Sequence, residues 1–292
     1  MRRNVFALAF AAVFLAAALS TAPAARAAEM AVDLELILAV DVSRSMDYDE
    51  QKLQRDGYIA AITDPDVIAA IGRGANGRIA LSYIEWAGPN KQSVVVDWRV
   101  VDGVASARAF AAVLAEAPMQ TFRGTSISGG LAFAQSRFEG NGYAAPRHAI
   151  DVSGDGPNND GNPMTEVHEK TIAAGIVVNG LPIMDESGNG YFPDLDKYYA
   201  ACVAGGRGSF VVVVHNFKDF GAAMRHKLIL EISQNESQIR QVMDELNKKR
   251  GFVKIAAGAQ PPGAGPQVLR AAPNEFSQHC DIQGGFGGFN RF

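Results

Sequence analysis

The chain has 292 residues and a formal net charge of −4, with 48% hydrophobic and 20% charged residues. That composition is globular, and its acidic sign argues against nucleic acid and anionic lipid surfaces as partners. Only two cysteines, Cys202 and Cys280, are present, which excludes a cysteine-rich metal or disulfide scaffold.

The N-terminus reads Arg2-Arg3, an apolar stretch from Val5 to Leu19, then Ala24-Ala25-Arg26-Ala27-Ala28. A basic start, an apolar centre and an Ala-x-Ala end predict a secretory signal peptide over residues 1–27, cut after Ala27 or one residue to either side. The rival reading, an uncleaved anchor, needs about 20 apolar residues and no processing site. Removing residues 1–27 takes away three Arg and no acid, so the charge moves from −4 to −7 and 265 residues remain. The mature protein is expected to be soluble and periplasmic or secreted. In an exported chain, Cys202 and Cys280 are expected to pair, tying the tail to the domain and stabilising it by roughly 4–5 kcal/mol in the chain-entropy model. Two unpaired thiols are the alternative.

From Val32 to Ser233, apolar runs alternate with helical periods. Leu34–Val40 predicts a strand, and Tyr48–Ile71 a helix broken near Asp64-Pro65. Arg78–Trp86 and Ser93–Asp97 predict strands whose short Ala87-Gly88-Pro89-Asn90 link favours an antiparallel pair. Val104–Ala115 and Ser126–Phe138 read as helices, followed by a strand at His148–Val152, a helix at Met164–Ala174 and a strand at Ile176–Asn179. Leu195–Ala204 is helical, Phe210–Val214 a fully apolar strand and Phe217–Ile232 a helix. Strands apolar throughout and separated by helices predict a doubly wound, mostly parallel α/β sheet of six strands, with Ser93–Asp97 as an antiparallel edge and helices on both faces. Residues 234–255 read as a polar helix. Residues 256–292, rich in Gly and Pro, read as an extended flexible tail, with the Gly/Phe ending open to a weak contact role.

The chemistry gathers where strands end. Asp41-Val42-Ser43-Arg44-Ser45 closes the first strand with a carboxylate and two hydroxyls at alternate positions. Such positions can all point one way on an extended or tightly turning backbone. Hard oxygens of this kind suit Mg²⁺, Ca²⁺ or Mn²⁺. The competing reading is that Ser43 and Ser45 cap the helix that follows. Ser153-Gly154-Asp155-Gly156 places a second carboxylate at another strand end, and Phe122-Arg123-Gly124-Thr125-Ser126 places a hydroxyl at a helix start. In a doubly wound sheet such loops form the ligand site.

These residues resemble the metal-ion-dependent adhesion site of von Willebrand factor A-type domains. The family's D-x-S-x-S falls on Asp41, Ser43 and Ser45, its single threonine on Thr125, and its strand-end aspartate on Asp155-Gly156. Ser153-Gly154 stands where a threonine is commoner. The resemblance spans Val32 to Ser233 and is closest to bacterial exported proteins of undefined function. It implies that Ser43, Ser45 and Thr125 bind a divalent ion directly, Mg²⁺ first among candidates, with Asp41 and Asp155 acting wholly or partly through water. It also implies that an Asp or Glu from a protein partner completes the shell. Binding rather than catalysis is then expected. A metal-assisted hydrolase, or a structural role in which the ion only rigidifies the loops, are the alternatives; no general base, nucleophile elbow or phosphate loop accompanies the site. The Asp155–Asn162 segment misses the EF-hand spacing, and His148, His168, His215, His226 and His279 show no zinc spacing. Met184–Tyr191, an acidic, Gly-containing loop after a strand, is expected on the same face, as a partner-selecting rim or an ordinary surface loop. Arg123 stands beside Thr125 either to steer acidic ligands or as a solvated side chain.

Overall fold

In the computed structural model, residues 29–184, 192–233, 267–270 and 280–281 are described. The signal-peptide, polar-helix and most of the tail and rim-loop readings therefore lie outside the described residues.

The elements run β1 (Met30–Ala31), β2 (Glu35–Asp41), α1 (Tyr48–Ile62), α2 (Pro65–Gly72), β3 (Ile79–Trp86), β4 (Gln92–Val101), α3 (Val104–Glu116), α4 (Ile127–Ser136) and β5 (Tyr143–Ala144). They continue with β6 (His148–Gly154), α5 (Met164–Ala173), β7 (Ile176–Pro182), α6 (Leu195–Tyr198), a π-helical turn (Tyr199–Val203), β8 (Phe210–Val213), a 3₁₀ turn (Phe217–Asp219), α7 (Phe220–Ile232) and β9 (Gln267–Arg270). The main sheet has the order β4-β3-β2-β6-β7-β8-β9. Strands β3, β2, β6, β7 and β8 are mutually parallel, and β4 pairs antiparallel at one edge. The six expected strands are all present. The seventh, β9, lies within the segment read as an unstructured tail and pairs antiparallel with β8, so the tail reading is corrected at Gln267–Arg270. Strands β1 and β5 form a separate parallel pair.

Strand β2 is buried along its whole length because both of its faces are covered. Its alternate residues divide between two cores, as the period of two requires. Leu36, Leu38 and Val40 join Tyr58, Phe110, Phe220 and Leu228 from α1, α3 and α7. Ile37 and Ala39 join Leu131, Met164 and Tyr198 on the opposite face. The break expected near Asp64-Pro65 divides Tyr48–Ile71 into α1 and α2, because Asp64 caps α2 by accepting from Asp66 N and Pro65 occupies its first position. The expected helix at Leu195–Ala204 is one α turn followed by the π turn.

Cys202 and Cys280 form the disulfide, with Cα atoms 5.4 Å apart. It fixes the tail against the second core, where Thr165 N also donates to Asp281 Oδ1 at 2.9 Å. Among the described residues no helix is long and apolar enough to cross a membrane.

His168 on α5 packs against the turn that follows the π segment, and a Cβ on Gly205 would meet its Nε2 at 2.2 Å. Burial holds this imidazole below its ordinary 6.5, only partly offset by a hydrogen bond to the Ala204 backbone. The unfolded chain therefore takes up a proton more readily than the native one. This contribution to stability is present above about pH 6.5 and lost as pH falls below it. Urea unfolding midpoints between about pH 7 and pH 5 should fall less in His168→Gln than in the wild type.

Candidate functional site

The winding of the sheet reverses at β2, which has β3 on one side and β6 on the other. The register pairs Val40 with Ser153, so Asp41 comes level with Gly154 and Asp155 emerges just beyond it. Two carboxylates far apart in sequence thus leave adjacent strands at the same height, in the crevice where such sheets take ligands.

The turn after β2 is set by Asp41 itself, whose Oδ1 accepts from Ser43 N at 2.7 Å, an Asx turn that bends the chain over the strand end. Ser43 Oγ then lies 2.8 Å from Ser45 Oγ, and Ser45 Oγ donates to Asp155 Oδ1 at 2.7 Å. The helix-cap alternative is answered by a different residue. Asp47 caps α1, with Oδ1 accepting from Glu50 N at 2.8 Å, while Glu50 Oε2 accepts from Asp47 N at 2.7 Å. That is a complete capping box, and it leaves the Ser45 hydroxyl to Asp155 and the Ser43 hydroxyl to Ser45.

Thr125 is brought in from the other side. Phe122 N donates to Val42 O and Ser126 N to Ala87 O, which ties the Phe122–Ser126 loop to the ends of β2 and β3. Gly124 makes the bend with φ +85°, and a Cβ there would strike Asp160 Oδ2 at 2.8 Å, so this position excludes other residues. Thr125 is buried, and its methyl lies 3.8 Å from where a Cβ on Gly156 would stand. Asn159 clasps it twice: Thr125 N donates to Asn159 Oδ1 at 3.1 Å, and Asn159 N donates to Thr125 O at 2.9 Å. Asn158 Oδ1 accepts from Ser128 N at 2.9 Å in the first turn of α4. The Asp155–Asn162 segment thus works as a clasp on the threonine loop.

Behind the site, Ser153 Oγ accepts from Tyr58 Oη at 2.9 Å and from Gln54 Nε2 at 3.2 Å, locking α1 to β6. Gln51 Nε2 bridges Met46 O and Thr121 Oγ1. Tyr199, at the start of the π turn, is the site neighbour that sequence reasoning missed. Its hydroxyl is buried without a hydrogen-bond partner, as is Asp41 Oδ2. A Cβ on Gly154 would come within 2.9 Å of both atoms, so the two oxygens converge on the space that glycine leaves. Arg44 and Arg123 are exposed.

The electrostatics follow from this crowding. Burial, then the charge of Asp155, pushes the Asp41 carboxyl well above the ordinary carboxylate range, against the hydrogen bonds from Ser43. Burial also raises Asp155, and its bond from Ser45 opposes the rise. The Tyr199 hydroxyl is raised well above the ordinary phenol range by burial and then by Asp41 and Asp155. Two desolvated carboxyls with an unpaired oxygen between them are the reverse of a stable apolar core. A cation there would remove the repulsion that produces the shifts. The donors are carboxylate and hydroxyl oxygens, a hard set suited to Mg²⁺, Ca²⁺ or Mn²⁺. Among the described residues, no three His, Cys, Asp or Glu side chains gather as a metal cluster.

The model of the family described as "Protein of unknown function (DUF1194)" matches residues 31–236. The chain belongs to the DUF1194 family. The DUF1194 domain of this chain is the doubly wound, mostly parallel α/β sheet described above. Among solved structures, it is similar to proximal thread matrix protein 1 from the mussel byssus, at 16% identity and a TM-score of 0.52, over 70% of this chain and 49% of that one. A second structure of that protein, with a zinc-occupied MIDAS motif, matches at 18% identity and a TM-score of 0.51 over the same shares. A von Willebrand factor type A protein from Catenulispora acidiphila matches at 15% identity and a TM-score of 0.48, over 72% of this chain and 43% of that one. At these identities the likeness is one of fold, and the DUF1194 chain spans about half the length of the structures it matches. No curated protein matches it.

Gly154→Ala would drive a methyl into Asp41 Oδ2 and Tyr199 Oη. It should destabilise the domain by about 1–3 kcal/mol, read as a lower urea midpoint at unchanged m-value.

Proposed function

We propose that the domain is an exported, divalent-metal-dependent protein-binding module. Asp41, Ser43, Ser45, Thr125 and Asp155 would hold the ion, with Mg²⁺ the first candidate. An Asp or Glu from a protein partner would complete the shell. The observation that carries this reading is the buried, unpartnered Asp41 Oδ2, at one end of a set whose other members are the linked Ser43, Ser45 and Asp155 oxygens. Asp47 already caps α1, so the two serines are free for another use.

When bound, the ion would supply a positive charge that offsets the Asp41–Asp155 repulsion and an electrophilic position for an incoming carboxylate. The chain's own residues do the rest. Ser45 holds Asp155 toward Ser43, Asn159 fixes Thr125, and Ser153 with Tyr58 keeps β6 from shifting beneath Asp155. Two carboxylates among mostly neutral donors would leave the cation short of negative charge, which favours docking of an external acid. We read residues 1–27 as the export leader and 32–233 as the working unit, with the tail anchored to it at Cys280.

In the wild type, Mg²⁺ at one hundred times its Kd should add about 2.7 kcal/mol to stability, read as a rise in melting temperature that EDTA reverses. Asp41→Asn keeps an oxygen for Ser43 N but lowers the charge, and should lose most of that rise while keeping the metal-free melting temperature. Capture of protein partners from a periplasmic extract on the immobilised domain should require Mg²⁺ and fail in EDTA. Equal capture in both would refute the docking role, and a metal-dependent melting temperature with metal-independent capture would assign the ion to loop rigidity alone.

A further inference from the structure

A second group of ionisable side chains sits in the core, apart from the Asp41 site. Asp151 lies at the middle of β6, pointing to the face that α7 covers, and is 1% exposed. Lys227 and Glu231 stand one turn apart on α7, so both look down onto the sheet; they are 0% and 1% exposed. Lys227 Nζ contacts Asp151 Oδ1 directly. Beside them, Asn179 pairs with Asp151 across the β6–β7 register and donates from Nδ2 to Glu231 Oε2. Asn179 Oδ1 accepts from Phe210 N at 2.8 Å, which fixes the amide's orientation. The Phe210 ring roofs the lysine, with its centroid 5.3 Å from Nζ. Leu38, level with Asp151 on β2, closes the other side.

Asp151 Oδ2 and Glu231 Oε1 are both buried without a hydrogen-bond partner, and Arg147 Nη2 lies 3.7 Å from Glu231 Oε1. Burial, then the Asp151 charge, pushes Glu231 up to about 8, with Lys227 and Arg147 pulling the other way. Of the two carboxyls, Glu231 is the one that its surroundings push toward the neutral form, and Asn179 ties it to the level of Asp151. An amine, a carboxyl in contact with it and a carboxylic acid one helical turn from that amine are the parts needed for condensation to an amide. Water, which drives the reverse reaction, is excluded by the core. Holding the reactants together is worth effective concentrations on the order of 10⁵ M or more. The product is neutral, so the reaction also removes two charges from an interior where charges are costly to keep.

We propose that Lys227 and Asp151 condense into an intramolecular isopeptide bond joining α7 to β6, with Glu231 as the proton relay. Nζ of Lys227 bonds to Cγ of Asp151, and one Asp151 oxygen leaves as water. In the net balance the lysine ammonium gives up two of its three protons and the water carries two. Glu231 gives its own proton to the departing oxygen and takes one back from Nζ, ending as it began. Nothing is oxidised or reduced, and no co-reactant enters. The bond fastens the last helix of the domain to the strand whose carboxyl end carries Asp155.

The test is intact-mass spectrometry of the full purified chain with its disulfide reduced, followed by peptide mapping. The expected mass is lower than the sequence mass by one water, and the map should contain a branched peptide joining the segments of Asp151 and Lys227. A full sequence mass, with both segments recovered as separate linear peptides, overturns the proposal without recourse to any variant. Glu231→Gln keeps the shape and the acceptor for Asn179 but cannot relay the proton; it should fold, as judged by its circular dichroism, and retain the full mass. Complete water loss in that variant would remove Glu231 from the relay. Water loss that persists in Lys227→Met would place the modification elsewhere and overturn the assignment.

Discussion

The carboxyl end of the sheet depends on the parallel pairing of β2 with β6. Because Val40 stands opposite Ser153, the carboxylates of Asp41 and Asp155 leave neighbouring strands at one level. A slip of one residue would turn every side chain of one strand to the opposite core, exchanging Leu36, Leu38 and Val40 for Ile37 and Ala39. The two cores thus hold the register, and the register sets the site. The helices serve this arrangement from both faces: α1 through Tyr58 and Gln54 on Ser153, and the π turn through Tyr199 beside Gly154.

The sheet was legible because its central strands are apolar on both faces, a pattern that a buried parallel strand needs and an exposed one cannot carry. The positions of Asp41, Ser43, Ser45, Thr125 and Asp155 were legible because each sits where an element begins or ends, which local sequence marks well. The Asp47-x-x-Glu50 capping box was also in plain sight, and it separates the cap from the serines. Tyr199 was not legible, since in Tyr198-Tyr199-Ala200-Ala201-Cys202 an aromatic reads as ordinary core and its nearness to Asp41 exists only in the folded chain. Strand β9 was hidden for a related reason. Gln267–Arg270 lies in a segment dominated by Gly and Pro, and its extended form comes from pairing with β8 rather than from its own composition.

The molecule keeps two kinds of buried charge. At the Asp41 site, like charges are crowded, and both carboxyls are raised by burial. Under α7, Lys227, Asp151 and Glu231 lie beneath Phe210 and Leu38, with Arg147 3.7 Å from Glu231 as a fourth charge. Burial thus crowds like charges in the first group and sets opposite ones in contact in the second. Arg55 with Glu85 is a third, simpler case, an ion pair at 2.5 Å closed further by the Ala117 carbonyl.

The disulfide places Cys280 against Cys202, three residues after Tyr199. Tension on the chain beyond residue 281 would therefore enter the fold at the π turn, bypassing β9, which lies inside the loop that the disulfide closes. The edge strand is shielded from peeling, and the load arrives at the segment whose tyrosine stands beside Asp41. The tail is in this sense a lever whose fulcrum lies next to the carboxylates, so that a pull and a docked acid would act on the same few ångströms of backbone.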